Sequence, residues 1–372
     1  MQQNLPDKKA MAEMLDGYGF GRIQSVAEAP QPWSPDTSGR RDVLVAAGRR
    51  KYIVRFEAAR PEVDLRREVD LQIFLNKNGF PCPQPLPDRN SRHLKSVGDE
   101  VVVAYRHIDG RVRNSEELTA AQIENIGRSL AELHVIGKGY KKGIDSRFSY
   151  ARVAESYGQI RDRLPPYFKK IKRTFDEEVE YLGGYLEGKL PKGVIHGEML
   201  DEGILLKGER LVGILNFGAA CRGKLIYDLA CAINAVCFIK GEYDLKRFET
   251  LISGYEQVRT LSLAEWDAFP NELRFSALRF SIAFLVDLAR RPDAEDCLAT
   301  ITEERVGEKN PEAPVTRKMI GFEKYLARLQ ILRRERDGGM EPLLLAMATG
   351  YDYRRYQKVK ATTRAAKAAK SS

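Results

Sequence analysis

Hydrophobic and polar positions alternate in short pieces through the first part of the chain. Residues 15–57 carry brief apolar runs broken by Gly and Pro, and "DVLVAAGRRKYIVRF" (42–56) reads as two strands joined by a turn at Gly48. The period then changes. In "PEVDLRREVDLQIFLNKNGF" the residues Val63, Leu65, Val69, Ile73 and Phe74 recur at helical spacing, and Asn78-Gly79 stops the run. The prolines of "PCPQPLPD" predict an extended link, and "GDEVVVAYRHI" a strongly apolar strand.

From Ser115 onward the helical period takes over. "SEELTAAQIENIGRSLAELHVIG" opens with Ser and Glu at cap-like positions, and further helical stretches are predicted at 151–187, 225–238, 244–258, 264–290 and 316–336. The one clear strand signal in this half is "ILLKGERLVGIL", two apolar runs around Lys207-Gly208-Glu209-Arg210. The pattern therefore predicts an α+β, bilobal arrangement. Residues 1–107 would be a small β-rich lobe with one helix, 108–336 a larger helical lobe with a hairpin, and 337–372 a basic extension.

Composition changes this picture little. With 43% hydrophobic and 30% charged residues among 372, the chain has an ordinary globular make-up. The start, MQQNLPDKKA, is polar, and no uncharged apolar run approaches the roughly 18 residues that span a bilayer. A cytoplasmic protein without membrane insertion is expected. Five cysteines (Cys82, Cys221, Cys231, Cys237 and Cys297) form no C-x-x-C pair, so buried thiols are expected rather than disulfides or a zinc site.

The net charge of +9 is concentrated at one end. After Asp352 come Arg354, Arg355, Lys358, Lys360, Arg364, Lys367 and Lys370 with no acid, and subtracting those seven leaves +2 for the rest. A solvated, partly disordered tail is the plain expectation; contact with a polyanion, weakening steeply with salt, is the alternative.

The hairpin at 204–215 brings the chemistry into view. If 204–206 pairs with 211–215, residues 203 and 216 come out side by side, where two ligands of one divalent cation could sit. In kinase chemistry an Asp orients the acceptor hydroxyl, an Asn binds magnesium, and a second Asp binds magnesium bridging the phosphates. Here His196-Gly197-Glu198, then Gly203, then Asn216-Phe217-Gly218 resembles the H-G-D-x-x-x-x-N and D-F segments of the aminoglycoside phosphotransferase and choline kinase-like superfamily. Within it the chain is most similar to bacterial homoserine kinases of this fold. "LDGYGFGRIQSV", "NGFPCPQPLPDRN", "IGRSLAELH", "RLVGILNFGAAC", "LIYDLACAINAVCF" and "ALRF" support this, in family order over about residues 10–335.

The resemblance implies a protein-kinase-like fold and transfer of the γ-phosphoryl of ATP, with Mg2+, to a small amino-acid-like alcohol. It places Glu198 as the group orienting the hydroxyl, His196 as a structural histidine of the catalytic loop and Asp228 as a buried brace for that loop. Arg55 stands at the phosphate-binding basic position with Glu68 as its helix partner, although a surface ion pair would have the same spacing. Tyr105 and Arg106 fall at the connector, near residues 104–112, that meets the nucleotide. Asn234 faces the acceptor region, and Asn216, with Asp201 or Glu202, would hold a metal.

The departures carry equal weight. Glu198 replaces Asp with one methylene more, Gly203 replaces the metal-binding Asn with no side chain, and Asn216 replaces an Asp and loses its charge. Magnesium is usually held by one or two carboxylates plus phosphates. "SPDTSGRRDV" stands where homoserine kinases have a Gly-Asn-Asn-Tyr-like turn, and Val236, Phe284 and Val286 alter the acceptor side. Impaired catalysis is therefore expected, with a pseudokinase that senses nucleotide or binds a protein partner as the alternative.

Other chemistries fail on spacing. "HGE" lacks the P-C-x-x-C of a zinc deaminase, and there is no G-x-x-x-x-G-K-[ST], G-x-S-x-G or H-E-x-x-H. His93, His107 and His134 are scattered singly.

Overall fold

The computed structural model of the chain describes residues 5–30, 33, 39–143, 146, 148–185, 189–291, 294, 298 and 317–337. The basic tail lies outside the described residues. Helix α1 (Lys8–Met14) precedes β1 (Ile23–Glu28), β2 (Arg40–Ala47), β3 (Arg50–Glu57), helix α2 (Glu62–Lys77), β4 (Lys95–Val97) and β5 (Glu100–Arg106). The strands form one antiparallel sheet in the order β1-β2-β3-β5-β4. The hairpin at Gly48 is present, with Ala47 opposite Arg50 and Gly48 at φ 59°.

Strand alternation gives this sheet two working faces. Val54, Phe56 and Val102 pack on one side with Met11 of α1 and Leu15 just after it. Ile53, Val103 and Tyr105 face the other way, toward α2 and the later hairpin. Helix α2 buries Leu65, Glu68, Val69, Leu71, Gln72 and Leu75, while the expected core residue Val63 is exposed. The apolar stripe is rotated because Glu68 turns inward to an ion pair with Arg55.

The second half opens with α3 (Ala120–Gly137), which begins later than its sequence signature suggested. Residues Ser115–Glu117 form a short 3-10 turn, and the capping box is Thr119 with Gln122. The stretch at 151–187 is two helices, α4 (Tyr150–Arg161) and α5 (Lys169–Gly183), because Pro165-Pro166 interrupts the ladder. Then come β6 (Lys192–Ile195), β7 (Ile204–Lys207), β8 (Arg210–Ile214), β9 (Cys221–Lys224) and α6 (Leu225–Val236). After the two-residue pair β10 (Phe238–Ile239) and β11 (Glu242–Tyr243) follow α7 (Leu245–Glu256), α8 (Leu263–Ala289) and α9 (Arg317–Asp337).

The pair β6–β9 was not expected. Each strand is four residues long and contains a glycine, so neither shows a sustained apolar alternation, yet Gly223 is needed where a Cβ would lie 2.3 Å from Ile195. Cys82, Cys221, Cys231 and Cys237 are buried and outside any disulfide, and Cys297 lies outside the described residues. Among the described residues no helix is long and apolar enough to cross a membrane.

Candidate active site

Residues 196–203 link β6 to β7, and one buried carboxylate fixes their course. Asp228 of α6 accepts from the backbone N–H groups of His196 (Oδ2, 2.7 Å) and Gly197 (Oδ1, 2.8 Å), and His134 Nε2 lies 3.2 Å from Oδ2, the oxygen that also takes the His196 N–H. Burial pushes this carboxyl up, but the His134 contact and the backbone donors outweigh it and leave its pKa lowered. The brace extends outward through His134 Nδ1 to the Tyr255 hydroxyl, to which Arg259 donates.

His196 is bonded on both ring nitrogens. Nε2 donates to the Leu215 carbonyl at 2.7 Å, and Nδ1 accepts from the Glu198 N–H at 3.3 Å. The ring thus ties the loop to the end of β8 and stands edge-on to Phe217. Gly197 sits at φ 81°, where a Cβ would lie 2.6 Å from the Ala219 carbonyl oxygen.

The Glu198 side chain remains 35% exposed, but its Oε1 accepts from Arg279 Nη2 at 2.6 Å. Arg279, 1% exposed, is clamped between Phe148 (3.7 Å) and Phe280 (4.1 Å). Its Nε and Nη1 have no hydrogen-bond partner among the described residues. The sequence named this arginine only as part of "ALRF"; its reach to Glu198 comes from α8 packing on α6.

Residues 203 and 216 lie next to each other. Leu215 N donates to Gly203 O at 2.8 Å, and a Cβ on residue 203 would lie 3.7 Å from Asn216 Nδ2. Asn216 has left-handed backbone geometry (φ 64°, ψ 47°), and its Oδ1 is buried without a partner among the described residues. Glu202 is exposed. Asp201 accepts from Glu202 N, and burial, then the Glu202 charge, raise its pKa, with Lys324 and Arg328 of α9 pulling the other way. Among the described residues no three His, Cys, Asp or Glu side chains are grouped to hold a metal. One neutral amide oxygen beside a side-chain-free glycine is not a donor set for magnesium.

On the sheet side, Arg55 and Glu68 are not a surface pair. Arg55 is 2% exposed, and its Nη1 donates to Glu68 at 3.2 Å while its Nε donates to Asp42 at 3.0 Å. Asp42 is the cross-strand neighbour of Arg55 and also accepts from Arg40 at 2.6 Å. Glu68 gives its second oxygen to Arg60 at 2.6 Å. Burial alone would lower Arg55 and raise Glu68; the opposite charges reverse both shifts. Arg60 and Glu68 pack against Gly218, where a Cβ would lie 3.1 Å from Arg60 Nη1.

Tyr105 lies buried under the Arg55 guanidinium, 5.1 Å from ring centroid to carbon. Arg106, by contrast, is exposed, and its backbone N–H donates to Gln84. Asn234 is fully buried. Its Nδ2 donates to Leu273 O, its Oδ1 accepts from the Tyr243 hydroxyl and its carbonyl accepts from Arg328, so its side chain is committed to packing rather than turned to an open acceptor region.

The crevice between sheet and hairpin holds a residue the sequence reading passed over. Trp33, 2% exposed, belongs to one buried apolar cluster with Ile53, Val103 and Tyr105 of the sheet and Leu205 and Leu215 of the hairpin segment. Its ring stacks near His107 at 6.2 Å, and Arg40 donates to its carbonyl at 2.9 Å.

A model of the phosphotransferase enzyme family, APH, matches residues 32–261. The homoserine kinase of Sinorhizobium fredii is 30% identical over 292 residues, 76% of this chain and 85% of that protein. The homoserine kinase of Agrobacterium fabrum is 29% identical over 230 residues, 62% of this chain and 71% of that one. Among solved structures, amicoumacin kinase in complex with AMP-PNP and Ca2+ superposes with a TM-score of 0.64 at 12% identity, covering 89% of this chain and 93% of the other.

Proposed function

This chain belongs to the phosphotransferase enzyme family, with homoserine kinases among its relatives, and we propose that it is a member in which phosphoryl transfer is disabled. The observation that carries the reading is the pair at 203 and 216. Where a metal-assisted transfer needs anchored carboxylate and amide oxygens, positions 203 and 216 offer one buried, uncharged Oδ1 without a partner among the described residues. Metal stabilisation of developing phosphoryl charge contributes several kcal/mol, and each ~1.4 kcal/mol is about a decade of rate.

Two further features support the same reading. The Glu198 carboxylate, at the position that would orient an acceptor hydroxyl, already has its Oε1 committed to Arg279 at 2.6 Å. Arg55, at the position that would meet phosphate, is paired with Asp42 in addition to its expected helix partner Glu68. The loop scaffold itself is intact, with His196 and Asp228 fully bonded. The chain thus keeps the frame of the family's site while lacking its metal anchor. We assign it a non-catalytic role, in which any nucleotide binding is weak and magnesium-independent.

The test is a thermal-shift titration with ATP, with and without Mg2+, on the native chain and on Gly203→Asn/Asn216→Asp. A side chain at 203 has room, since the nearest atoms to its Cβ lie at 3.6 and 3.7 Å. A ligand at about 100 times its Kd stabilises by ~2.7 kcal/mol. Magnesium-dependent stabilisation confined to the reverted protein is expected. The same response from the native chain, together with turnover of homoserine or another small alcohol, would overturn the reading.

A further inference from the structure

Away from the crevice, on the far side of the catalytic loop, a cavity of about 370 Å³ opens between the β6–β9 pair, the start of α4 and the middle of α8. Gly197 is its one contribution from residues 196–203; Glu198 and Asn216 do not line it. Its walls are built from Phe148, Tyr150, Tyr227 and Phe275, and the Tyr227 and Phe275 rings lie 5.5 Å apart. The volume is that of a small-molecule site.

The charged groups on this cavity are uneven. Among the described residues Lys192, Arg222 and Lys224 line it against one acid, Glu272. Glu272 is buried and accepts from Lys224 at 2.7 Å, which fixes that ammonium group at the wall and cancels its charge. Lys192 and Arg222 are exposed, and their two charges remain on the cavity. Helix α4 begins here as well. Ser149, its N-cap, and Tyr150 and Ala151 of its first turn line the cavity, and that turn contains no acid. The positive end of the helix therefore adds to the basic side chains.

We propose that this cavity is a binding site for a small anion on an aromatic or otherwise apolar body, a carboxylate or a phosphate ester. The body fills the space between the rings, and the anionic group meets Lys192, Arg222 and the α4 N-terminus. Occupancy is independent of the nucleotide crevice, so the proposal stands apart from the loss of phosphoryl transfer. The cavity also touches the site indirectly, because its wall residue Phe148 stacks on the guanidinium that holds Glu198.

The experiment uses the full chain without nucleotide. Benzoate and phenyl phosphate are titrated by calorimetry and thermal shift, beside benzyl alcohol as the uncharged body and inorganic phosphate as the bare anion. Saturable binding of at least one aromatic anion is expected, with a Kd on the order of 1 mM for so small a probe. Which anion binds better separates a carboxylate from a phosphate source. In Lys192→Glu/Arg222→Glu, two exposed changes, affinity should fall about tenfold or more. Ala151→Trp, also at an exposed position, should block the mouth and give a similar loss. The proposal is overturned if neither aromatic anion binds, if benzyl alcohol or inorganic phosphate binds equally well, or if both variants retain native affinity.

Discussion

Replacing Trp33 by alanine should open the crevice to nucleotide. The indole is 2% exposed between the sheet and the β7–β8 hairpin. Such a ring buries ~200 Å² or more, and at ~25 cal/mol/Å² that is about 5 kcal/mol. A ring swung aside keeps part of this cover, so expelling it costs about 3 kcal/mol. At ~1.4 kcal/mol per decade the open state is populated at about one part in 150, and apparent nucleotide affinity is weakened by the same factor. Trp33→Ala should therefore tighten ATP binding roughly 100-fold while destabilising the fold by ~3 kcal/mol or more. The assay is an ATP titration of both proteins read by thermal shift. Emission gives a check in the native chain, which has two tryptophans, Trp33 and Trp266, so displacement of the buried ring by ATP should red-shift the spectrum. An ATP affinity within a factor of ~3 of native in the variant would refute the reasoning, as would silence from both proteins.

Asp228→Asn should destabilise by ~3 kcal/mol, because the His196 and Gly197 N–H groups lose a charged acceptor; chemical denaturation measures this. With its folded pKa below the unfolded value near 3.9, the Asp228 contribution is present above that value and lost as pH falls through the folded one, so the native-minus-variant difference should shrink only in acid. Asp201 runs the other way. Its raised pKa means that the folded state disfavours its charge, so Asp201→Asn should stabilise near neutral pH, with the gain vanishing below pH 4 in a melting series. Asp42→Ala should cost ~3–5 kcal/mol by leaving Arg40 and Arg55 short of a partner, and Asp42→Ala/Arg55→Leu should recover part of it in a denaturation double-mutant cycle.

Much of the architecture was legible because it depends on local period. The Gly48 hairpin, the apolar strand 100–106 and the β7–β8 hairpin are short apolar runs beside a Gly-containing turn, and the hairpin arithmetic brought 203 and 216 together. Asp42 was legible as well, though unused. Once Ala47 pairs with Arg50 at the turn, five steps outward put Asp42 opposite Arg55. The partners that arrive from distant segments were not. Arg279 reaches Glu198 across 81 positions, and nothing near either residue announces the other. Trp33 lies in a Pro-rich stretch without periodicity, so its burial depends on two apolar faces that only the tertiary fold brings together. Asn234, expected from the resemblance to face the acceptor region, bonds Leu273 O through Nδ2 and the Tyr243 hydroxyl through Oδ1, partners its own stretch does not announce.

These unforeseen contacts share a physical logic. A crevice built for a divalent cation and a triphosphate carries charges that those ligands neutralise, and such charges cannot be left buried and bare at a cost of several kcal/mol each. On the proposed reading, in which 203 and 216 anchor no metal, the carboxylate at 198 needs a cation and has Arg279, while the cation at 55 has Asp42 beside its helix partner Glu68. The apolar walls of the crevice need a ring between them and have Trp33. Each replacement stabilises the empty state, so restoring the metal ligands alone leaves the competing partners in place. Gly203→Asn/Asn216→Asp should therefore recover magnesium-dependent binding before it recovers turnover. Adding Trp33→Ala to that pair should then tighten ATP binding further, by a factor that differs from the single change, because Trp33 shares a cluster with Leu215, whose N–H donates to Gly203, and such neighbours couple. A combined variant that binds ATP no better than the reverted pair would show that the ring does not compete with nucleotide, and would break the link drawn here between the lost metal site and the filled crevice.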